Sequence, residues 1–199
     1  GKNNKKISTG SKDDKFGLNF NDYINLCKKI NKMKNLKLDG LSVHIGSQIT
    51  NIKPFKQVLT IISKIISETK IKFKFIDLGG GMGIAYSNKE KKLDINQYAK
   101  LVKKFIKNTK IQIIFEPGRF IIGDSSVLIT KIIYIKKSNN KNFIILDAGM
   151  NNLMRPALYD AHHAIIPLKK SNGRIVGNVE FVGPICESTD KFLNQKGFS

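Results

Sequence analysis

The chain has 199 residues, enough for one large domain or two small ones, and its 41% hydrophobic content supports a real core. A formal net charge of +20 would ordinarily raise nucleic acid or an anionic membrane as a partner, because clustered cations release counterions on binding. The charge is nearly all lysine, spread through helices and turns beside heavy use of Ile and Asn. No RNA-binding aromatic motif, zinc-finger spacing or arginine-rich arm occurs, so neither nucleic acid nor membrane is expected as a partner.

Cys27 and Cys186 are the only cysteines, too few for a disulfide framework, and a reducing cytoplasm is the simplest setting. No apolar run is long enough to span a bilayer, and the Lys/Asn-rich start lacks the apolar core of a signal peptide. Opening on Gly1-Lys2 instead of Met and stopping shortly after Phe192, the chain reads as a piece of a longer protein.

Residues 1–15 are polar and read as a loop. From Asn19, the apolar residues Phe20, Tyr23, Ile24, Cys27 and Ile30 fall at helical spacing, which puts Cys27 on a buried face. Leu38 to Ile45 reads as a strand. A second helix starts at Pro54, with Phe55, Val58, Leu59, Ile62, Ile65 and Ile66 forming its apolar face. Phe73 to Leu78 is a second strand. Asp94 and Gln97 have capping-box spacing before a third helix carrying Tyr98, Leu101, Val102, Phe105 and Ile106, and Ile111 to Phe115 is a third strand. Alternation of strands and helices of this length predicts parallel βαβ units.

After Arg119 the rhythm changes. Val127 to Ile135, Phe143 to Leu146 and Ile175 to Val182 are β-rich and separated by Ser138-Asn139-Asn140 and Asn172-Gly173 turns, which predicts antiparallel sheet. A domain change is placed near Ile122, giving domains 1–122 and 123–199, with a helix-like turn or loop around Asn152 to His163.

Each early strand breaks into a turn rich in polar residues or glycine: Gly46-Ser47-Gln48, Gly79-Gly80-Gly81, and Glu116-Pro117-Gly118-Arg119. Parallel strand–helix barrels gather functional groups at the C-terminal ends of their strands, so these turns read as successive edges of one ligand site. His44 taken alone is more often structural than catalytic. Beside it, Gly46 permits close backbone approach, an imidazole could stack on a flat ring, and Ser47 could hold a phosphate. The glycine run could form an anion-binding nest, although neither the GxxxxGK[ST] phosphate loop nor the G-x-G-x-x-G fingerprint is present. Glu116 with Arg119 puts an acid and a fork-shaped cation within one turn, for which a structural salt bridge is the plain alternative. Together the three ends suit a small phosphorylated aromatic cofactor.

Arginine is scarce, limited to Arg119, Arg155 and Arg174, and guanidinium grips carboxylate or phosphate bidentately where ammonium cannot. Arg174, beside Gly173, reads as a solvated turn residue. Asp147, Asn151, Asn152, His162 and His163 read as structural. No metal site is expected, since adjacent histidines do not share a ligand face and no third ligand is evident.

His44-Ile45-Gly46-Ser47-Gln48, Asp77-Leu78-Gly79-Gly80-Gly81, Glu116-Pro117-Gly118-Arg119, Arg155-Pro156-Ala157-Leu158-Tyr159 and Cys186-Glu187-Ser188-Thr189-Asp190 resemble, in order, the motifs of the diaminopimelate decarboxylases. These are pyridoxal-phosphate decarboxylases with an alanine-racemase-like barrel. Ile7-Ser8-Thr9-Gly10 and Lys15-Phe16-Gly17 resemble the preceding segment, and the match runs over nearly the entire chain. The resemblance implies the later part of a (β/α)8 TIM barrel followed by part of a C-terminal β-sandwich or β-barrel domain. It implies pyridoxal 5'-phosphate as cofactor and conversion of meso-2,6-diaminopimelate to L-lysine and carbon dioxide. By that similarity His44 stacks on the ring, and Ser47, Gly79, Gly80, Gly81 and the backbone at Gly118 and Arg119 hold the phosphate. Glu116 pairs with the ring nitrogen, where a carboxylate keeps the pyridinium protonated. Arg119, Arg155 and Tyr159 hold the substrate, Glu187 its distal ammonium, and Cys186 returns a proton to the decarboxylated carbon across a homodimer interface.

Two departures accompany the match. No lysine here fits the family's cofactor-linking lysine, which lies upstream, and its C-terminal tyrosine has no counterpart before Ser199. An incomplete parallel barrel leaves open edges, so the isolated chain is expected to be inactive and a protein extended at both ends active. A decarboxylase of arginine, ornithine or carboxynorspermidine with the same fold, and a non-catalytic pyridoxal-phosphate-binding protein, are the alternative readings.

Overall fold

Three side-chain caps start the helices of the first half. Asn19, Asn51 and Asp94 each accept a backbone N–H, from Asp22 (2.9 Å), Lys53 (2.8 Å) and Gln97 (2.9 Å). They open α1 (Phe20–Ile30), α2 (Ile52–Thr69) and α3 (Ile95–Ile106) by satisfying donors that a helix start otherwise leaves orphaned. Asp94 caps as its spacing predicts. α2 begins two residues ahead of Pro54 because Asn51 captures the Lys53 amide, and proline is tolerated within a first turn. The computed structural model describes residues 15–87, 90–169 and 175–198. Ile7 to Gly10, the Asn172-Gly173 turn and Arg174 lie outside the described residues.

The chain divides into two units, residues 1–126 and 127–199. In the first, β1 (Gly40–Ser42), β2 (Phe75–Asp77) and β3 (Gln112–Ile114) form a parallel sheet in sequential order, with Leu41, Ile76 and Ile113 abreast. The helices intervene between strands as the βαβ pattern requires. Phe55, Leu59, Ile62 and Ile65 of α2, Tyr98 and Val102 of α3, and Ile76 of β2 are buried in one cluster. Full burial of side chains this size contributes roughly 1.5–3 kcal/mol each before entropy is charged. Phe55 and Tyr98 fix the two helices on the sheet, their ring centroids 4.5 Å apart. Cys27 is 1% exposed on the inner face of α1, the place its periodicity assigns.

The strands are shorter than their apolar runs, each three residues long. Pairing nevertheless continues beyond them: Val43 N–H donates to Asp77 O (2.9 Å) and Leu78 N–H to Ile114 O (3.0 Å). Past β3 the chain turns directly into α4 (Gly118–Ile122), a short helix that the strand-end reading of Glu116 to Arg119 did not anticipate. Among the described residues β1 and β3 each pair on one side only, and Ile114 and Phe115 are each 43% exposed.

The second unit carries β4 (Ile132–Lys137), β5 (Asn142–Leu146), α5 (Arg155–Tyr159), β6 (Ile175–Val182) and β7 (Lys191–Phe198), with sheet order β4-β5-β6-β7. β4 and β5 form the antiparallel hairpin expected around Ser138 to Asn140, closed by Ser138 N–H to Lys141 O (3.1 Å). The expectation of a wholly antiparallel sheet is corrected here, because β5 and β6 run parallel. The connection between them, which contains α5, is long enough to make the crossover that parallel neighbours need. Ile144, Val179, Phe181 and Phe192 form the core. Glu180, 5% exposed, is enclosed by ion pairs to Lys141 and Lys191 (3.0 Å to the latter). Burial pushes its carboxyl upward, but the two ammonium partners outweigh that and leave it below the ordinary glutamate range.

Candidate functional site

Because the parallel strands stand in register, their C-terminal ends come off one side of the sheet, carrying His44 to Gln48, Gly79 to Gly81 and Glu116 to Arg119 together. These ends are stitched by backbone bonds: Glu116 N–H to Gly79 O (2.9 Å), Ile49 N–H to Gly81 O (2.8 Å) and Gly83 N–H to Ile49 O (2.9 Å). Asp77 Oδ1 accepts the Gly79 amide (2.8 Å) and turns the chain where β2 ends.

The glycines make this close approach possible. A Cβ on Gly79 would lie 2.5 Å from the Val43 carbonyl oxygen, on Gly80 2.2 Å from the Glu116 carbonyl oxygen, and on Gly81 2.2 Å from that of Gly46. Gly79 and Gly81 also hold φ of +64° and +84°, a region costly for side chains. The middle turn is therefore wedged between its neighbours with no space for a methyl group.

His44 and Glu116 are exposed and Ser47 is half-buried, and among the described residues their side chains engage no hydrogen bond or ion pair. A salt bridge between Glu116 and Arg119, the plain alternative, does not form. The Gly79 amide is engaged by Asp77 and the Gly118 amide by Glu116 O (2.9 Å), so the Gly80 and Gly81 amides are the turn's donors left without a partner among the described residues. An uncommitted imidazole, hydroxyl and carboxylate beside free amides and a guanidinium match the needs of a flat, basic, phosphorylated ring.

Arg119, on α4, is half-buried, and its Nη1 donates to Gln48 Oε1 (3.1 Å). Its guanidinium carbon lies 6.0 Å from the Tyr86 ring centroid, at the edge of cation–π range. Gln48 closes the first strand-end motif, where its residue type assigns it no role. Its only sequence signal is its place next to Ser47, since a left-handed φ of +60° is not legible from residue type there.

The second unit holds the other four candidates. Arg155 and Tyr159 share one face of α5 at i,i+4. Cys186 and Glu187 are exposed in the β6–β7 loop. Glu187 Oε1 accepts from Ser188 Oγ (3.2 Å) and the Thr189 amide (3.4 Å). Asp190, 2% exposed, is the residue that shapes this region. Its carboxylate accepts the Met150 amide (2.6 Å) and the Ile185 amide (2.9 Å), joining the segment that leads into α5 to the loop that bears Cys186. The sequence places it last in the Cys186 to Asp190 motif without showing which amides it holds.

His163 has a more specific position than a general structural role, lying 2.9 Å from Arg155 Nη1 through Nε2. Since guanidinium only donates, this contact requires a neutral imidazole accepting at Nε2. Burial first, then the charge of Arg155 and that of His162, pushes His163 below the ordinary histidine range. Its folded pKa is thus lower than its unfolded one. As pH falls below about 6.5 the unfolded chain takes up this proton first, so stability declines until pH passes below the folded value. Melting temperature measured against pH should fall less steeply below about 6.5 in His163→Gln than in the parent. Identical slopes would remove His163 as the cause.

Asp147 accepts from Thr130 Oγ1 (2.6 Å) and the Lys131 amide (2.9 Å), and Asn152 Oδ1 from the Gly149 amide (3.0 Å), consistent with structural roles. Among the described residues no cluster of His, Cys, Asp or Glu suits a metal ion, and no helix is long and apolar enough to cross a membrane.

Residues 1–123 match the family model of the pyridoxal-dependent decarboxylase, pyridoxal binding domain. The chain belongs to the pyridoxal-dependent decarboxylases. Within that family it is similar to the diaminopimelate decarboxylase of Aquifex aeolicus, 40% identical over 188 residues that make up 92% of this chain and 44% of the relative. The Neisseria meningitidis serogroup A enzyme of the same name is 39% identical over 92% of this chain and 46% of the relative. Among solved structures, diaminopimelate decarboxylase from Helicobacter pylori complexed with L-lysine superposes with a TM-score of 0.86 at 36% identity, covering all of this chain and 50% of that one. The chain thus spans about half the length of the relatives it matches.

Proposed function

We propose that this chain is the central part of a diaminopimelate decarboxylase, a pyridoxal 5'-phosphate enzyme that converts meso-2,6-diaminopimelate to L-lysine and carbon dioxide in the cytoplasm. The observation that carries the reading is the in-register delivery of His44, Ser47, Gly79 to Gly81, Glu116 and Arg119 to one end of a parallel sheet, with the ends locked by backbone bonds. In this reading residues 1–122 belong to a (β/α)8 barrel, and the one-sided pairing of β1 and β3 is the continuation point for further strands. Residues 123–199 then belong to a C-terminal β-sandwich or β-barrel domain.

When bound, the cofactor supplies an electron sink for the bond to the departing carboxylate. Glu116 holds a proton on the ring nitrogen, and His44 covers the ring face. Ser47, the glycine turn of Gly79, Gly80 and Gly81 and the backbone at Gly118 and Arg119 hold the phosphate. Arg119, Arg155 and Tyr159 hold the substrate, the two guanidiniums its carboxylates, and Glu187 the distal ammonium. Cys186, exposed at the loop tip, is the proton donor to the substrate carbon, serving the active site of a second copy in a homodimer.

The test is turnover by a protein extended to the relatives' full length. It should release lysine from meso-diaminopimelate and leave ornithine and arginine almost untouched, because a cationic clamp at Arg155 favours a substrate with a distal carboxylate. Cys186→Ala should lower kcat about 100-fold or more, within the range of a lost general acid, with a smaller effect on KM. Preference for ornithine or arginine would replace the proposed substrate. The 199-residue chain alone should release no lysine.

A further inference from the structure

Arg155 is met twice by the chain that follows its own helix. Asp160 closes α5 in the left-handed region at φ +52°, a conformation that aspartate tolerates better than most residues and that turns the backbone sharply. The returning segment comes back to the start of α5: the Ala161 N–H donates to Arg155 O (3.4 Å), and His163 Nε2 accepts from Arg155 Nη1 (2.9 Å). Leu153 before the helix and Ile165 after the turn pack against the buried cluster of the second unit, and Pro156 is itself buried. Both flanks of the turn are therefore anchored. His162, the adjacent imidazole, is exposed.

We propose that His163 is a positioning residue for substrate recognition: its neutral imidazole holds the Arg155 guanidinium in place for a substrate carboxylate without cancelling its charge. The proposal rests on the reading of Arg155 as a carboxylate ligand and adds what fixes that ligand. The physical case turns on which acceptor a carboxylate receptor tolerates. Guanidinium has donors only, so a partner that fixes it must accept. An acidic side chain at position 163 would do so more strongly, but it would compete with the substrate for the same fork and cancel the charge that attracts a carboxylate. A protonated imidazole would offer no lone pair and would repel the guanidinium. Neutral imidazole avoids both faults, and burial followed by the charge of Arg155 keeps this ring below the ordinary histidine range. An arginine held in advance also loses less rotamer freedom when substrate arrives, which favours binding.

The experiment is steady-state kinetics of the full-length enzyme on meso-diaminopimelate, with a thermal melt and a pyridoxal phosphate titration of every variant. His163→Leu, which removes the acceptor, should raise KM about tenfold, in keeping with loss of a hydrogen bond to a charged group, while kcat and cofactor affinity stay near the parent's. His163→Gln, which restores a neutral acceptor, should recover most of that loss, and His162→Gln should leave KM unchanged. In an Arg155→Met background His163→Leu should raise KM no further, since the group it positions is gone. An unchanged KM in His163→Leu, equal rises in both backgrounds, no recovery in His163→Gln, an equal rise in His162→Gln, or rises that simply track melting temperature would overturn the proposal. If Arg155→Met itself leaves KM unchanged, the reading of Arg155 as a substrate ligand falls and this proposal with it. A raised KM in Arg155→Met beside an unaffected His163→Leu sinks only the proposal.

Discussion

Gly80→Ala is expected to weaken pyridoxal phosphate binding roughly 10- to 100-fold in the full-length protein, because it displaces amides whose hydrogen bonds to a charged group contribute about 1.5–3 kcal/mol each. The added Cβ would lie 2.2 Å from the Glu116 carbonyl oxygen, a distance no methyl group tolerates. Something must move, and both sides of the clash are tied backbone: the Glu116 amide is bonded to Gly79 O, and Leu78 to Ile114 O. The strain should also lower stability by roughly 1–3 kcal/mol. Gly118→Ala is the internal control for folding, because nothing lies within 4 Å of its added Cβ and its φ is not positive. Its melting temperature should match the parent's. If calorimetry and cofactor titration found Gly80→Ala as stable and as tightly binding as the parent, the interlock of strand ends would not matter as described.

The second large effect concerns Asp190. Asp190→Ala leaves the part-buried Met150 and Ile185 amides without the acceptor that the buried carboxylate supplies, and an unsatisfied donor costs up to about 1–3 kcal/mol where it is shielded from water. A loss of about 2 kcal/mol is expected, since water can reach the Ile185 amide. Asp190→Asn should fall in between, since its amide can accept from one N–H but turns its own donor toward the other. The fingerprint is local: hydrogen exchange should accelerate at Met150 and Ile185, at opposite ends of the link, ahead of the β5–β6 core. Gly183 belongs to the same arrangement, as its added Cβ would meet Asp190 Oδ2 at 2.1 Å. Unchanged exchange at both amides in Asp190→Ala would contradict the role assigned to the carboxylate.

The helices of the first unit were legible because their apolar residues recur at helical spacing over many turns. Phe55, Leu59, Ile62 and Ile65 are buried along α2 as that spacing requires. Helix starts depend on caps, and Asn51 is less conspicuous in the sequence than Pro54 because capping by asparagine leaves no periodic trace. β7 went unread for the opposite reason. Its run Lys191–Phe198 is mostly polar and has Phe192 as its one fully buried residue, and it is held by pairing with β6 that local composition does not encode. The parallel β5–β6 pairing likewise follows from a long crossover, whereas strand runs separated by turns suggest hairpins.

The candidate site is legible as motifs because its candidate residues sit within a few positions of one another at strand ends. Its supports are not. Gln48 acts through Ile84 and Arg119, Asp190 through Met150, and His163 through a ring nitrogen whose tautomer is set by Arg155. Each depends on contacts or a backbone angle that exist only once the chain is folded. Motif reading therefore names the residues gathered at the strand ends but assigns no role to those, such as Gln48 and Asp190, that bond them to distant segments.

The central claim is that the three strand ends cradle pyridoxal phosphate. A crystal structure of the full-length protein with the cofactor bound tests it most directly. The ring nitrogen should lie within hydrogen-bonding distance of Glu116, with His44 against the ring face and the phosphate at Ser47, the glycine turn and the backbone at Gly118 and Arg119. Cofactor bound elsewhere, with Glu116 and the glycine turn making no contact to it, would contradict the account.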